Sequence, residues 1–291
     1  MSVTAILLLV ISAGTHAGWN LIGKKTRSGP ASFLLATGFG VLLLLPFLIL
    51  FHEVISIFTP SVWLLVACTG AFQALYYSSL SAAYRKGDLS LIYPIARSTP
   101  AVLVAGFAFA VGRGDQVSIL ALLGIAFIFL GGYLLPMKHF KDFTLRKYLN
   151  AAFGLALLAA IGTAGYSIVD DTALRLLWSD QVHGIPSWHI SLVFAFFEGM
   201  ASAFWLSLYI LINKRERREL ASLTKPIGKG VTGAALMGVG IYLTYSLVLI
   251  SMAFVKDVSY VVAFRQLSIP IGVVLGALVL HEKLYIPKIS G

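Results

Sequence analysis

Cysteine, acidic residues and charge of either sign are scarce in this 291-residue chain. The one cysteine, Cys68, excludes an intrachain disulfide and a cysteine-based metal cluster. It stands between Ala67 and Thr69 in an apolar run and reads as a small buried hydrophobe. Charged residues make up 12% of the chain, against about 25% in a soluble domain. The deficit runs the whole length, with 58% hydrophobic residues and a mean hydropathy of +0.89. A soluble domain on a single anchor is therefore excluded. No HExxH, P-loop, GxSxG or dinucleotide fingerprint occurs. The chain is accordingly not expected to be an enzyme, to carry a cofactor or metal, or to drive transport with ATP on its own. Asp180, His183 and His189 are the nearest approach to a metal set, with a spacing suited only to weak binding. No lysine or arginine precedes the first apolar run, so a cleavable signal peptide is not expected.

What is present is a series of long apolar stretches. About twenty such residues cross a bilayer core as a helix. Residues 3–23, 31–51, 61–84, 89–111, 117–137, 150–169, 188–212, 231–255 and 258–280 qualify. The expected fold is an all-α integral membrane protein of about nine transmembrane helices. The net charge of +10 does not indicate nucleic acid, because the basic residues collect in alternate loops. Seventeen lie in one set, including Lys24, Lys25, Arg85, Lys86, Lys138, Lys141, Lys214, Arg215, Lys283 and Lys288. Only Arg113, Arg175 and Lys256 lie in the other. By the positive-inside rule the N-terminus is outside, as is the loop bearing Asp170, Asp171 and Asp180. Membrane lipid is an expected partner, since basic loops favour anionic headgroups.

Two spans resemble each other. A shift of 170 positions places Ala83, Lys86, Ser98, Pro100, Val104 and Gly106 on Ala253, Lys256, Ser268, Pro270, Val274 and Gly276. Gly14-Thr15-His16-Ala17-Gly18-Trp19-Asn20 is likewise echoed by Gly162-Thr163-Ala164-Gly165-Tyr166-Ser167. Helices one to five thus pair with six onward, and an odd number per copy inverts the second copy. The expected organisation is a first repeat of five helices (1–137), a basic cytoplasmic linker (138–149) and a second repeat of four (150–291). The second copy is short by a final helix, so the chain is expected to be truncated relative to a ten-helix plan.

Arg97 and Arg265 sit deep in the paired spans. A charge at the centre of a bilayer costs about 2.5–3.5 kcal/mol on insertion scales, and is kept mainly where it faces a cavity or a partner. The fixed fork of Arg97 suits a carboxylate or phosphate; its alternative is an ion pair with Glu198. Arg265 divides between the same two roles. Glu198 reads either as a proton-coupling carboxylate or as a counter-ion. His16, Trp19 and Asn20 share a helix face, lining a cavity or packing at a Gly14/Gly18 crossing. Gln73, Tyr76 and Tyr77 share another face, and Tyr242, Tyr245 and Ser246 a third. Tyr93 and Gln266 lie beside the arginines. Pro94, Pro100 and Pro270 interrupt helical hydrogen bonding, as hinges or as static kinks.

The stretches His16–Lys24, Leu91–Pro100 and Val258–Pro270 are similar to the first, fourth and ninth helices of the EamA-type ten-helix branch of the drug/metabolite transporter superfamily. The turn Gly112-Arg113-Gly114-Asp115 departs from that family's Gly-Glu-(Arg/Lys) pattern, whereas Glu282-Lys283 keeps it. The resemblance implies a secondary transporter in the cytoplasmic membrane, exporting or exchanging small metabolites such as amino acids or other organic anions and amphipaths. It implies a midplane site between the repeats, and end helices that serve packing or a homodimer. The alternatives are a membrane-embedded enzyme or a flippase-like accessory subunit acting on lipid-linked phosphates.

Overall fold

A computed structural model describes residues 1–26, 29–86, 89–135, 137, 150–179, 184–223, 229–280 and 285. The linker 138–149, Asp180, His183 and all of 281–291 except Tyr285 lie outside them, as do the side chains of 20–26 and 89–91. The described chain is helical, with no strand. The elements are α1 (Val3–Thr26), α2 (Pro30–Leu50), α3 (Pro60–Lys86), α4 (Leu89–Ala110), α5 (Ile119–Leu134), α6 (Ala151–Ser179), α7 (Ser187–Ile212), α8 (Lys214–Leu223), α9 (Lys229–Met252), α10 (Val258–Phe264) and α11 (Ser268–Leu280).

Six helical stretches are long and apolar enough to cross a bilayer: Pro30–Leu50, Ile92–Ala110, Ala151–Ser179, Ser187–Ile212, Gly230–Met252 and Val258–Val279. This is the make-up of a multi-pass membrane protein. Val3–Trp19 and Ile119–Leu134 are shorter apolar helices. Helix α3 is long, but Gln73, three tyrosines and several serines lower its hydropathy. The burial pattern runs opposite to that of a soluble protein. Arg97, Arg265, Asp170, Glu198 and Gln73 are buried, while Ile49, Leu64, Phe127 and Ile212 are exposed. An apolar surface around a polar centre is stable only where the surroundings are apolar too.

Local chemistry sets the helix ends. Pro30 opens α2, where its missing N–H costs nothing. The side chains of Ser118 and Asp257 cap α5 and α10 by accepting from the Ala121 and Ser259 N–H. Gly112, with φ of 76°, turns the chain after α4.

Helix α3 packs along α6, α1 along α9, and α2 lies beside α7 and α9. Glycines permit close approaches of the helices. A Cβ on Gly162 of α6 would stand 2.8 Å from the Tyr76 nitrogen of α3, and one on Gly70 of α3 would stand 2.6 Å from the Ala201 backbone of α7. Helices associate in lipid through such close packing, because apolar burial gives little drive there. The expected Gly14/Gly18 crossing is not found: a Cβ on either would meet nothing within 4 Å. Gly272 is equally open.

The structure corrects two boundaries. The sixth span does not end at residue 169: α6 runs ten residues further, to Ser179. Ala160, Thr163, Ser167, Asp170, Leu174 and Leu177 form one buried stripe at spacings of three and four, so Asp170 and Asp171 belong to a packed helix face and not to a loop. The segment after Asn213 also holds a helix, α8. Its Glu216 points inward to Arg85, 3.2 Å away, while Lys214, Arg215, Arg217 and Arg218 face outward.

Candidate central polar site

The ninth span is not one regular helix. Between α10 and α11, Arg265–Leu267 form a 3-10 turn. Pro270 explains the break. It has no N–H for the Gln266 carbonyl four residues back, and its ring crowds that carbonyl. Within the turn the Arg265 carbonyl accepts from the Ser268 N–H, from Ser268 Oγ at 2.9 Å and from Arg97 Nη2 at 3.3 Å. Arg97 Nη2 also donates to Ser268 Oγ at 2.9 Å. Pro94 and Pro100, by contrast, leave α4 unbroken.

Arg265 is held differently. Its guanidinium donates to the Tyr166 hydroxyl at 3.0 Å and to Ser167 Oγ at 3.4 Å. It also lies 5.7 and 5.2 Å from the ring centres of Tyr166 and Tyr245, within cation–π range. Neither arginine forms an ion pair among the described residues. The expected Arg97–Glu198 pair is therefore not made. Glu198 instead accepts from Gln73 Nε2, because α3 and α7 close on each other at Gly70 and bring that amide to the carboxylate.

A second carboxylate lies nearby. Asp170 Oδ1 accepts from Thr69 Oγ1 at 2.5 Å, and Oδ2 accepts from the Tyr245 hydroxyl. Two arginines and two carboxylates thus share one buried region. A small cavity of about 40 Å³ lies at its centre, lined by residues including His16, Trp19, Gln73, Tyr76, Arg97, Tyr166, Glu198, Tyr242, Tyr245 and Arg265. Three polar groups around it, Trp19 Nε1, Arg97 Nε and Glu198 Oε2, have no hydrogen-bond partner among the described residues. A water needs about 10–15 Å³ of such volume, so the cavity admits a few waters and no metabolite.

Of the residues singled out in the sequence, His16, Trp19, Gln73, Tyr76, Arg97, Glu198, Tyr242, Tyr245 and Arg265 line this cavity. Tyr93 and Gln266 do not: Tyr93 is half-buried, and Gln266 faces a different space. The Asn20 side chain lies outside the described residues. His16 meets Trp19 edge to face at 4.8 Å. Tyr77, which shares the helix face of Gln73 and Tyr76, lines it as well; Tyr166 and Thr244 also line the cavity, and sequence reasoning gave them no role there. The polar stripe Thr163-Ser167-Asp170 was their available signal. Its meaning was lost because the span was expected to stop at residue 169. His189 stacks on Phe51 at 3.7 Å, and no three metal-ligating side chains gather among the described residues. No protein-family model matches the chain, and no curated protein matches it.

Proposed function

We propose that the chain is a secondary active transporter of the EamA type, exporting or exchanging small metabolites across the cytoplasmic membrane by alternating access. The observation that carries this reading is a cavity at the centre of an apolar bundle, lined from many helices, where two arginines are buried without a carboxylate partner. Charges are tolerated at such depth mainly on a substrate or ion path. An arginine with an unused Nε is a ready donor for a carboxylate or phosphate. The tyrosines beside it would pack against the apolar remainder of an amino acid or other organic anion. In this reading the 40 Å³ cavity is the site in its closed form. Glu198, Asp170 and His16 are the groups available for proton coupling.

The same reading includes nine spans in two inverted repeats, with the N-terminus outside. Support comes from the exchange of helix partners: α3 lies on α6, α1 on α9, and α4 meets α10. Each first or third helix of one repeat then packs on the third or first of the other.

Thermal-shift screening of the purified protein against amino acids, phosphorylated metabolites, quaternary amines and purines tests the proposal. A ligand that stabilises the native protein is expected to lose that effect in Arg97→Ala or Arg265→Ala, and to support counterflow in proteoliposomes. A ligand that binds both variants undiminished, or that binds without counterflow, counts against it.

A further inference from the structure

Helix α8 carries its charges on two opposite sides. Glu216, Glu219, Leu220 and Leu223 are buried or half-buried, and their spacing of three and four residues makes them one helix face. Two contacts fix that face inward. Glu216 pairs with Arg85 at the end of α3, 3.2 Å away. Asn213 Oδ1, between α7 and α8, accepts from the Arg215 N–H at 3.0 Å and so sets where the helix begins. Lys214, Arg215, Arg217 and Arg218 are exposed on the other side. Because both acids of the helix turn inward, the outer side holds four cations and no anion.

The position of these cations is a second observation. Phe204, Leu208, Leu211 and Ile212 are exposed along α7, an apolar stripe that faces lipid in a membrane-spanning helix. Asn213 alone separates the end of that stripe from Lys214. One residue advances a helix by about 1.5 Å, so the cations stand where the hydrocarbon layer gives way to headgroups. Long basic side chains reach phosphate from that depth. Helix α8 packs on α2 and α7, which holds the row at this level.

We infer that the outer side of α8 is a docking surface for anionic phospholipid headgroups in the leaflet on its side of the bilayer. The phosphodiester oxygens accept from the guanidinium forks, and the acyl chains lie along the exposed stripe of α7. A soluble phosphate would meet the cations but leave that stripe uncovered, whereas a lipid meets both. The inference rests on the membrane-spanning fold and not on the transport reading, and it holds for either orientation of the chain.

The test places a photoreactive benzophenone on the exposed side of α8, at Ala221→Cys in a Cys68→Ser background. The full chain is held in nanodiscs of equal phosphatidylglycerol and phosphatidylcholine and irradiated, and the attached lipid is identified by intact mass. Phosphatidylglycerol adducts are expected to exceed phosphatidylcholine adducts about fivefold, the preference that one cation at a bilayer surface confers. Lys214→Gln, Arg215→Gln, Arg217→Gln and Arg218→Gln together are expected to abolish the preference. Arg215→Lys, Arg217→Lys and Arg218→Lys together are expected to keep it. So is Arg113→Gln with Lys256→Gln, which removes exposed cations that follow α4 and α9 at the other end of the bundle. Equal adducts with the four cations in place overturn the inference, as does a preference that survives the four glutamines. So does the absence of adducts with either lipid, which would put α8 in water. Loss of the phosphatidylglycerol adducts to equimolar glycerophosphoglycerol would assign the face to soluble phosphates, and loss to equimolar polyglutamate would assign it to an acidic protein; either overturns the inference too.

Discussion

Asp170 has both carboxylate oxygens held by hydroxyls, one from Thr69 on α3 and one from Tyr245 on α9. Tyr245→Phe removes one donor without changing shape and leaves Oδ2 without it. The expected loss is about 1–3 kcal/mol of stability, read from unfolding in detergent micelles. Thr69→Val is expected to do the same through Oδ1. No loss in either variant would mean that the two hydroxyls do not hold the carboxylate. Glycine positions separate just as sharply. Gly162→Val presses into the Tyr76 backbone, which cannot give way, and is expected to cost several kcal/mol, in the range of overpacked cores. Gly14→Ala meets open space and is expected to change stability by no more than about 1 kcal/mol, the helix propensity difference. Equal effects would contradict the α3–α6 contact.

At the scale of the element, two helices depart from regular expectation for different reasons. The α10–α11 break stands at Pro270 and gains a use, because the Arg265 carbonyl in that turn also accepts from Arg97. Helix α8 sorts its charges, with Glu216 fully buried against an Arg85 side chain that is 26% exposed. Arg85→Leu would strand that carboxylate and is expected to cost about 3 kcal/mol, the lower end for a broken buried pair. Arg85→Leu with Glu216→Leu is expected to recover most of the loss. A double variant as weak as the single would show that the cost lies in packing, not charge. Glu219, on the same helix, has its carboxyl pushed above the usual range, first by burial and then by Glu216. The unfolded chain therefore ionises it at lower pH than the folded one. Stability is expected to fall as pH rises between the ordinary carboxylate value and the raised one. Glu219→Gln should flatten that fall in pH-dependent melting curves.

The whole molecule is arranged around a polar centre that is nearly closed. A cavity of about 40 Å³ cannot admit a metabolite, so the proposed transport would demand that α1, α3, α4, α6, α7 or α9 move apart. In a Cys68→Ser background, Tyr76→Cys is expected to react slowly with water-soluble thiol reagents, and several-fold faster once a stabilising ligand shifts the population toward an open form. Fast reaction from one side at all times, unaffected by ligand, would describe a fixed vestibule and not alternating access.

Much of this was legible in residues alone, for reasons that hold residue by residue. Composition and the length of the apolar runs require helices in a bilayer, because the backbone must satisfy its own hydrogen bonds there. Arg97, Arg265, Glu198 and Gln73 announced themselves as polar groups in apolar surroundings. Their partners did not. Gln73 takes Glu198 across 125 residues and Arg97 reaches Ser268 across 171, and no local periodicity encodes a pairing set by how closely α3, α6 and α7 approach at Gly162 and Gly70. Asp170 was misplaced because two adjacent aspartates resemble the end of a span, whereas hydroxyls from two other helices hold Asp170 and Arg175 pairs with Asp171. Local sequence specifies which residues must be sheltered from lipid; the packing of distant helices specifies which of them meet.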